Sequence, residues 1–172
     1  FSSVYFLPID GVLPVSYLRG PLDVGRPNFV APRKTQLRTL IERVRAGEAS
    51  ALVKESWDAW FGTQLSGVSW QLMPLECWIE WLEGAPDNGI ASLAQYSLEN
   101  GFSCTAGFPD LIFLGGERVD IPQCFPKRCG GDPFFVEVKG PTDTMSMAQR
   151  VWSDRLTRWG FRFEQWNVEN AT

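Results

Sequence analysis

The segment from residue 134 to residue 168 constrains the fold most strongly. Residues 134–139 are mostly β-branched and aromatic, residues 146–159 repeat apolar side chains at helical spacing, and residues 161–168 alternate apolar and polar side chains. A strand, a helix and a strand in this order usually form a crossover connection between parallel neighbours. We therefore predict two parallel strands in one sheet, with a helix packed against them.

A further short strand is predicted at residues 110–114, where an apolar run follows Pro109. A turn-rich insertion separates this strand from the one at 134–139. The predicted helix at 146–159 carries an apolar stripe and ends at Gly160. The stripe consists of Ala148, Val151, Trp152, Leu156 and Trp159. Together these elements predict an α/β fold with a mixed sheet flanked by helices.

The sequence before residue 102 predicts a helical N-terminal stretch whose helices end at glycines. The expected helices span residues 32–46, 48–61, 74–83 and 88–100. Because large aromatic side chains dominate protein cores, we expect the tryptophans on these helices to be core residues. They are Trp57, Trp60, Trp78 and Trp81.

Recurring prolines in residues 1–31 predict an extended connector rather than a regular element. The expected organisation is a connector at 1–31, a helical lead-in at 32–101 and the sheet-containing core at 102–172. We expect residues 32–172 to form one compact unit.

Three charged residues in the predicted strands are spaced to act together. Successive side chains of a strand alternate faces, so Glu137 and Lys139 project from the same face. Asp110 opens the preceding strand, and if the two strands pair, its carboxylate meets that of Glu137 at one edge of the sheet. Two carboxylates and a lysine at one edge are typical of a metal-dependent nuclease, so all three are candidate catalytic residues.

Hard divalent cations prefer oxygen ligands, usually one or two carboxylates with water and phosphate. Asp110 and Glu137 supply the carboxylates, and the Val138 carbonyl adds a third oxygen. A bound Mg²⁺ or Mn²⁺ activates water for phosphodiester cleavage, while the Lys139 ammonium orients the water or offsets charge on the phosphate. The chain contains no histidine, which excludes serine–histidine and histidine–metal chemistry.

Two interpretations of Gln149 remain open. It stands near the start of the predicted helix, three residues after Ser146. Gln149 either serves the site as an accessory catalytic residue or closes a capping box with Ser146.

The net charge of −4 opposes DNA contact over the whole surface, because phosphate binding depends on Lys and Arg. Several basic residues nevertheless surround the predicted site. They are Lys127, Arg128, Lys139, Arg150, Arg155, Arg158 and Arg162. We predict DNA contacts by Lys127, Arg128 and Arg150, while solvated helix faces account for part of the remaining arginines.

The four cysteines, Cys77, Cys104, Cys124 and Cys129, fit a thiol-rich intracellular protein. No segment has the pattern of a signal peptide or a membrane span. We expect an intracellular location without membrane contact: cytoplasm or nucleoid in a bacterium, nucleus in a eukaryote.

Three motifs follow one another in the second half of the chain: Gly107-Phe108-Pro109-Asp110, Glu137-Val138-Lys139-Gly140-Pro141 and Gln149-Arg150-Val151-Trp152. They resemble the PD-(D/E)XK superfamily, and within it the virus-type replication-repair nuclease (VRR-NUC) domain. Upstream, Asp10-Gly11, residues 20–24 and the tryptophan-bearing helix at 48–61 are similar in order to the C-terminal half of the Fanconi-associated nucleases. The resemblance implies a restriction-endonuclease-like core.

The resemblance also implies an activity and a set of roles. Family members of this kind are metal-dependent DNases that cut branched DNA near 5′ flaps and trim strands from the 5′ side in interstrand crosslink repair. Carried over by position, Asp110 and Glu137 are metal ligands, Lys139 is the catalytic lysine and Gln149 is an accessory residue.

The family usually has a further acidic ligand on a helix ahead of the core, whereas this chain starts at Phe1. We therefore expect the chain to be part of a larger enzyme whose upstream segment supplies that ligand and much of the DNA-binding surface. Two alternatives remain: a Holliday-junction resolvase of the same domain class, and a catalytically silent scaffold that binds DNA or protein. Metal binding at the site distinguishes an enzyme from a scaffold.

Overall fold

Helices occupy the first part of the described chain, and a small sheet follows. The computed structural model describes residues 29–63, 69–100, 106–114 and 132–168. A 3-10 turn at Ala31–Arg33 leads into the first helix. The helices are α1 (Lys34–Arg45), α2 (Ala49–Trp60), α3 (Leu75–Gly84), α4 (Asp87–Asn100) and α5 (Met147–Arg158). The predicted helices are confirmed, with small shifts of their ends.

Three strands form one mixed sheet, in the order in which they occur along the chain. They are β1 (Leu111–Phe113), β2 (Phe134–Lys139) and β3 (Arg162–Asn167). β1 is antiparallel to β2, and β2 is parallel to β3. Because α5 connects β2 to β3, the predicted strand–helix–strand crossover is confirmed. β2 lies in the centre of the sheet and is almost entirely buried.

The main core lies between the sheet and the helices. Trp152 and Leu156 of α5 share one buried cluster with Phe135 of β2. Trp81 of α3 stacks on Phe161, just before β3, with ring centroids 6.2 Å apart. The same cluster includes buried residues of α2 and α4. The helical region and the sheet therefore share one core.

The helices pack in pairs, α1 against α4 and α2 against α3. Leu37 and Ile41, one turn apart, are the buried residues of α1. Gly47 follows α1 with a φ of 85°, a left-handed conformation that lets the chain turn directly into α2. Over the described ranges, every helix is too short or too polar to cross a lipid bilayer.

The tryptophans predicted in the core are buried to different degrees. Trp81 is buried, as predicted, whereas Trp57, Trp60 and Trp78 are only half-buried. Trp57 stacks on Phe61 with a centroid distance of 4.8 Å. Among the described residues of the main core cluster, Trp81 is present and these three rings are not.

The apolar stripe of α5 is narrower than predicted. Trp152 and Leu156 are buried, and Trp159 is half-buried. Ala148 is exposed and Val151 is 41% exposed. The core-facing side of α5 is therefore formed by Trp152 and Leu156, which lie four residues and about one turn apart.

Some predictions fall outside the described residues. They concern the connector up to residue 28, the insertion at 115–131, and Cys104, Cys124, Cys129, Lys127 and Arg128. Cys77 is buried in α3.

Candidate active site

Asp110 and Glu137 lie opposite each other at the end of the β1–β2 pair. The strand register pairs Leu111 with Val136, so one further step along the antiparallel strands sets Asp110 across from Glu137. The two residues therefore stand at the same end of the β1–β2 pair. Asp110 Oδ2 accepts a hydrogen bond of 2.9 Å from the Val138 amide, which holds this carboxylate against β2.

Glu137 and Lys139 form a buried ion pair on the face of β2 that also carries Phe135. Lys139 Nζ lies 2.7 Å from Glu137 Oε1 and donates a second hydrogen bond of 3.0 Å to Gln149 Oε1. Glu137 is only 1% exposed and Lys139 6% exposed. Buried charges are costly unless they are paired and hydrogen-bonded, and Gln149 Nε2 adds a further hydrogen bond to Glu137 Oε1. The three side chains form one connected polar cluster at the edge of the core.

Gln149 belongs both to this cluster and to the cap of α5. Ser146 Oγ accepts a hydrogen bond of 3.3 Å from the Gln149 amide, and Gln149 Oε1 accepts one of 2.8 Å from the Ser146 amide. The capping-box interpretation is therefore confirmed. It does not exclude contact with the ion pair, because one carboxamide oxygen accepts two hydrogen bonds. The cap fixes the carboxamide against Glu137 and Lys139.

Gly107 sets the separation between the segment before β1 and the start of α5. Its φ is 79°, and a Cβ added there would lie 2.7 Å from Ala148 Cβ and 2.8 Å from the Gln149 amide nitrogen. Only glycine fits this distance and this backbone conformation. The sequence alone does not predict that Gly107 contacts α5, because the two segments are far apart in the chain.

The oxygen donors at this edge suit a hard divalent cation. Asp110 Oδ1 and Glu137 Oε2 make no hydrogen bond with other described residues, so each carboxylate keeps one oxygen for a metal. Two carboxylates with a backbone carbonyl match the ligand preference of Mg²⁺ and Mn²⁺. In the ranges given above, no three acidic, cysteine or histidine side chains are grouped to hold an ion. A cation at this edge would take its remaining ligands from the Val138 carbonyl, water or phosphate.

Arg150 borders a cleft on the β3 side of Glu137. It follows Gln149 on α5, and its Nε donates a hydrogen bond of 3.2 Å to the Met145 carbonyl. The cleft has a volume of about 350 Å³ and is lined by Asp143, Thr144, Met145, Arg150 and Gln165. Gln165 is in register with Glu137 across the β2–β3 pair, so the cleft adjoins the candidate site.

Each of three other arginines predicted around the site contacts a neighbouring side chain. A neighbouring side chain holds each guanidinium group: Arg155 lies over the Tyr96 ring, Arg158 pairs with Asp154 and Arg162 pairs with Glu164. Whether these three arginines ring the site stays a prediction, and each guanidinium group has a partner of opposite charge or aromatic character. Of the predicted DNA contacts, Arg150 alone falls within the described ranges.

The chain is similar to one protein family over most of its length. The family model of the VRR-NUC domain matches residues 44–170. A Fanconi-associated nuclease 1 homolog of Oryza sativa subsp. japonica is 28% identical over 159 residues, which cover 92% of this chain and 16% of the relative. Fanconi-associated nuclease 1 of Ailuropoda melanoleuca is 27% identical over 184 residues, covering 98% of this chain and 16% of the relative. The chain thus spans about one sixth of the length of these relatives.

Solved structures are similar to the chain as well. The crystal structure of paFAN1 bound to 2nt 5′flap DNA with gap superposes with a TM-score of 0.74 at 20% identity, covering 99% of this chain and 29% of that chain. The crystal structure of paFAN1 bound to 1nt 5′flap DNA with gap gives a TM-score of 0.69 at 21% identity, covering 91% and 27%. These likenesses confirm the predicted fold class.

Proposed function

The chain belongs to the VRR-NUC domain family, and we propose that it is the nuclease module of a larger, structure-specific DNA repair enzyme. It cleaves branched DNA near a 5′ flap and trims strands from the 5′ side, in interstrand crosslink repair. The observation that carries this proposal is the register that opposes Asp110 to Glu137, with Lys139 paired to Glu137 at 2.7 Å. The flap DNA bound by the similar paFAN1 structures supports the choice of substrate.

The metal ligands in this proposal are the Asp110 and Glu137 carboxylates and the Val138 carbonyl. They would hold Mg²⁺ or Mn²⁺, and a cation bound there would supply a more acidic water and positive charge next to the phosphate. Asp110 is held for this role by the Val138 amide, and Glu137 by Lys139 and Gln149. Both ligands are therefore oriented before any ion arrives, which reduces the reorganisation that binding requires.

Lys139 is the catalytic lysine of the proposal. Two of its three N–H groups are directed at Glu137 and Gln149, and the third remains for the attacking water or a phosphate oxygen. In hydrolysis the water oxygen bonds to phosphorus, the bond to the leaving sugar oxygen breaks, and that oxygen gains a proton. An ammonium fixed in a nearly water-free position stabilises the extra negative charge of this transition state.

Gln149 and Arg150 act on either side of this centre. Gln149 is an accessory residue that orients Glu137 and Lys139 through its carboxamide. Arg150 binds a phosphate next to the scissile one, because its two terminal amino groups make no hydrogen bond with any described residue. Lys127 and Arg128 are proposed to extend the DNA contact from the insertion.

The parent protein supplies the rest of the active enzyme in this proposal. An upstream segment contributes a further acidic ligand and additional DNA-binding surface, in line with relatives several times longer than the chain. The enzyme acts where DNA is held, in the nucleoid of a bacterium or the nucleus of a eukaryote.

A cleavage assay tests the proposal. Wild type, Lys139→Ala and the exposed-lysine control Lys54→Ala are incubated with labelled 5′-flap DNA and Mn²⁺, with and without the upstream segment in trans. We expect flap cleavage by wild type and Lys54→Ala, and about a 10²- to 10³-fold slower reaction with Lys139→Ala. Preferred cleavage of a four-way junction would favour a resolvase. Absence of both cleavage and Mn²⁺ binding in wild type would favour a silent scaffold.

A further inference from the structure

β3 carries two carboxamide side chains next to the candidate site. In the parallel β2–β3 pair, Gln165 is in register with Glu137. Two residues further along, Asn167 is in register with Lys139. Registered neighbours on adjacent strands project to the same face of a sheet, and successive residues of one face are two apart. The row of side chains that contains the ion pair of β2 therefore continues sideways onto the carboxamides of β3.

The aromatic pair that precedes this row shows which side of the sheet it occupies. Phe163 is in register with Phe135 and packs against the core cluster to which Phe135 belongs. The carboxamides thus lie on the same face as the main core, further toward the end of β3. Phe163 is half-buried, whereas Gln165 and Asn167 are both exposed. At this end of the face, polar side chains reach solvent directly beside a buried ion pair.

The two carboxamides are joined to each other and keep several N–H groups for an outside acceptor. Gln165 Nε2 donates a hydrogen bond of 2.9 Å to Asn167 Oδ1. Two carboxamides have four N–H groups, so this bond leaves three, and none of the three donates to another described residue. The bond also restrains both side chains, which reduces the freedom lost when an acceptor binds.

Gln165 also lines the cleft that Arg150 borders, so the cleft has hydrogen-bond donors from both α5 and β3. The lining includes one cation and one carboxylate, those of Arg150 and Asp143. Asp143 Oδ2 accepts a hydrogen bond of 3.2 Å from the Gly140 amide. Because the two opposite charges offset each other, directed hydrogen bonds rather than net charge would hold a phosphate in this cleft.

We propose that Gln165 and Asn167 form an uncharged contact with the backbone of the cleaved DNA strand, in which their N–H groups donate to oxygens of the phosphate that Arg150 binds. This inference rests on the proposed function. It assigns a part in substrate binding to β3, whereas the metal ligands and Lys139 belong to the β1–β2 pair. The contact recognises a phosphodiester and not a base, so it carries no sequence preference.

Salt dependence separates an uncharged contact from a charged one. A neutral donor releases no counterion, so its removal weakens binding equally at every salt concentration. We expect the nearly isosteric Asn167→Leu to bind 5′-flap DNA about 3- to 10-fold more weakly, with an unchanged slope of log affinity against log salt concentration. Asn167→Lys should restore the affinity and steepen the slope by about 0.9. Binding is measured by fluorescence anisotropy in EDTA, with the upstream segment added in trans.

Asn88 provides the matched control. It is an exposed carboxamide at the start of α4, next to Gly89, which lies against the Phe161 ring just before β3. Asn88 is therefore near the end of β3 that is remote from the candidate site. Asn88→Leu should bind flap DNA like wild type, and Asn88→Lys should leave the salt slope unchanged.

The possible outcomes separate this contact from a structural role and from the proposed function. Equal affinities of wild type and Asn167→Leu would overturn the inference, and so would equal slopes of Asn167→Lys and Asn88→Lys. A lower urea midpoint of Asn167→Leu, with an affinity that Asn167→Lys does not restore, would assign the carboxamides to strand stability instead. Failure of wild type to bind flap DNA would overturn the proposed function, together with the inference that rests on it.

Discussion

At the scale of single residues, the candidate site has an ion pair where the apolar face of β2 would otherwise continue. Glu137 and Lys139 follow Phe135 on the same face, and all three are buried. Replacing a buried ion pair by apolar side chains is often neutral or stabilising, so stability alone does not explain the pair. The presence of the pair is better explained by the chemistry that a fixed carboxylate and ammonium perform.

The charge of Asp110 can be removed without disturbing its contact with β2. An asparagine at this position still offers an oxygen to the Val138 amide, but it is a much weaker ligand for a divalent cation. We expect Asp110→Asn to reduce Mn²⁺ affinity by at least about 10- to 100-fold in calorimetric titration, with an unchanged thermal unfolding temperature. Asp58→Asn, which changes an exposed carboxylate on α2, is the control. Equal affinities of the two variants would exclude Asp110 as a ligand.

At the scale of elements, the first turn of α5 serves both as a helix cap and as part of the site. Ser146→Ala removes the hydroxyl that caps the Gln149 amide, and it should cost about 0.5–2 kcal/mol of unfolding free energy. Gln149→Ala should cost a similar amount, but it also removes the contacts with Glu137 and Lys139. We therefore expect similar urea midpoints for the two variants and a clearly lower kcat for Gln149→Ala. A kcat loss of the same size in both variants would reduce the role of Gln149 to capping.

The approach of Gly107 to α5 is the tightest contact between elements at the site. Gly107→Ala imposes a side chain on a left-handed backbone, at about 1–2 kcal/mol, and forces Ala148 and Gln149 away, at about 1–3 kcal/mol more. Gly62→Ala is a matched control, because Gly62 also has a φ of 79° but nothing within 4 Å of the added Cβ. Urea unfolding should show the larger loss for Gly107→Ala, and cleavage should fall in that variant alone. Equal losses of unfolding free energy in the two variants would mean that α5 moves aside for the methyl group without a further cost.

The features of these elements that the sequence predicted depend on neighbouring residues. The features that it did not predict depend on contacts between residues far apart in the chain. The alternation of β2 and the Ser146–Gln149 spacing are properties of neighbouring residues, so the shared face of Glu137 and Lys139 and the capping box were both predictable. The contact between Gly107 and Ala148 depends on how β1 and α5 dock. The half-burial of Trp57 likewise depends on a partner helix, which helical periodicity does not specify.

At the scale of the whole molecule, 20 acidic residues outnumber the 16 Lys and Arg residues that could contact DNA. Tertiary and local partners engage several of the arginines. Arg155 lies over Tyr96 of α4, and Arg43 pairs with both Glu48 and Glu55. The hydrogen bonds that Arg43 donates to Glu48 and Glu55 raise the pKa of Arg43 above its ordinary value. Such pairings were not predictable from the sequence, because they join residues of different elements. Lys139 lies in the site, and Arg150 borders the cleft next to it.

This distribution predicts a weak dependence of DNA binding on salt. Each phosphate contact contributes about 0.9 to the slope of log affinity against log salt concentration, so contacts by Lys127, Arg128, Lys139 and Arg150 predict a slope of at most about 3.6 in magnitude. Arg150→Gln should reduce that magnitude by about 0.9, when flap binding is measured by fluorescence anisotropy in EDTA to prevent cleavage. Arg158→Gln removes an equal charge from a residue already paired with Asp154 and should leave the slope unchanged. Equal reductions of the slope in both variants would mean that DNA binding depends on the overall charge of the module. That result would exclude a specific phosphate contact at Arg150.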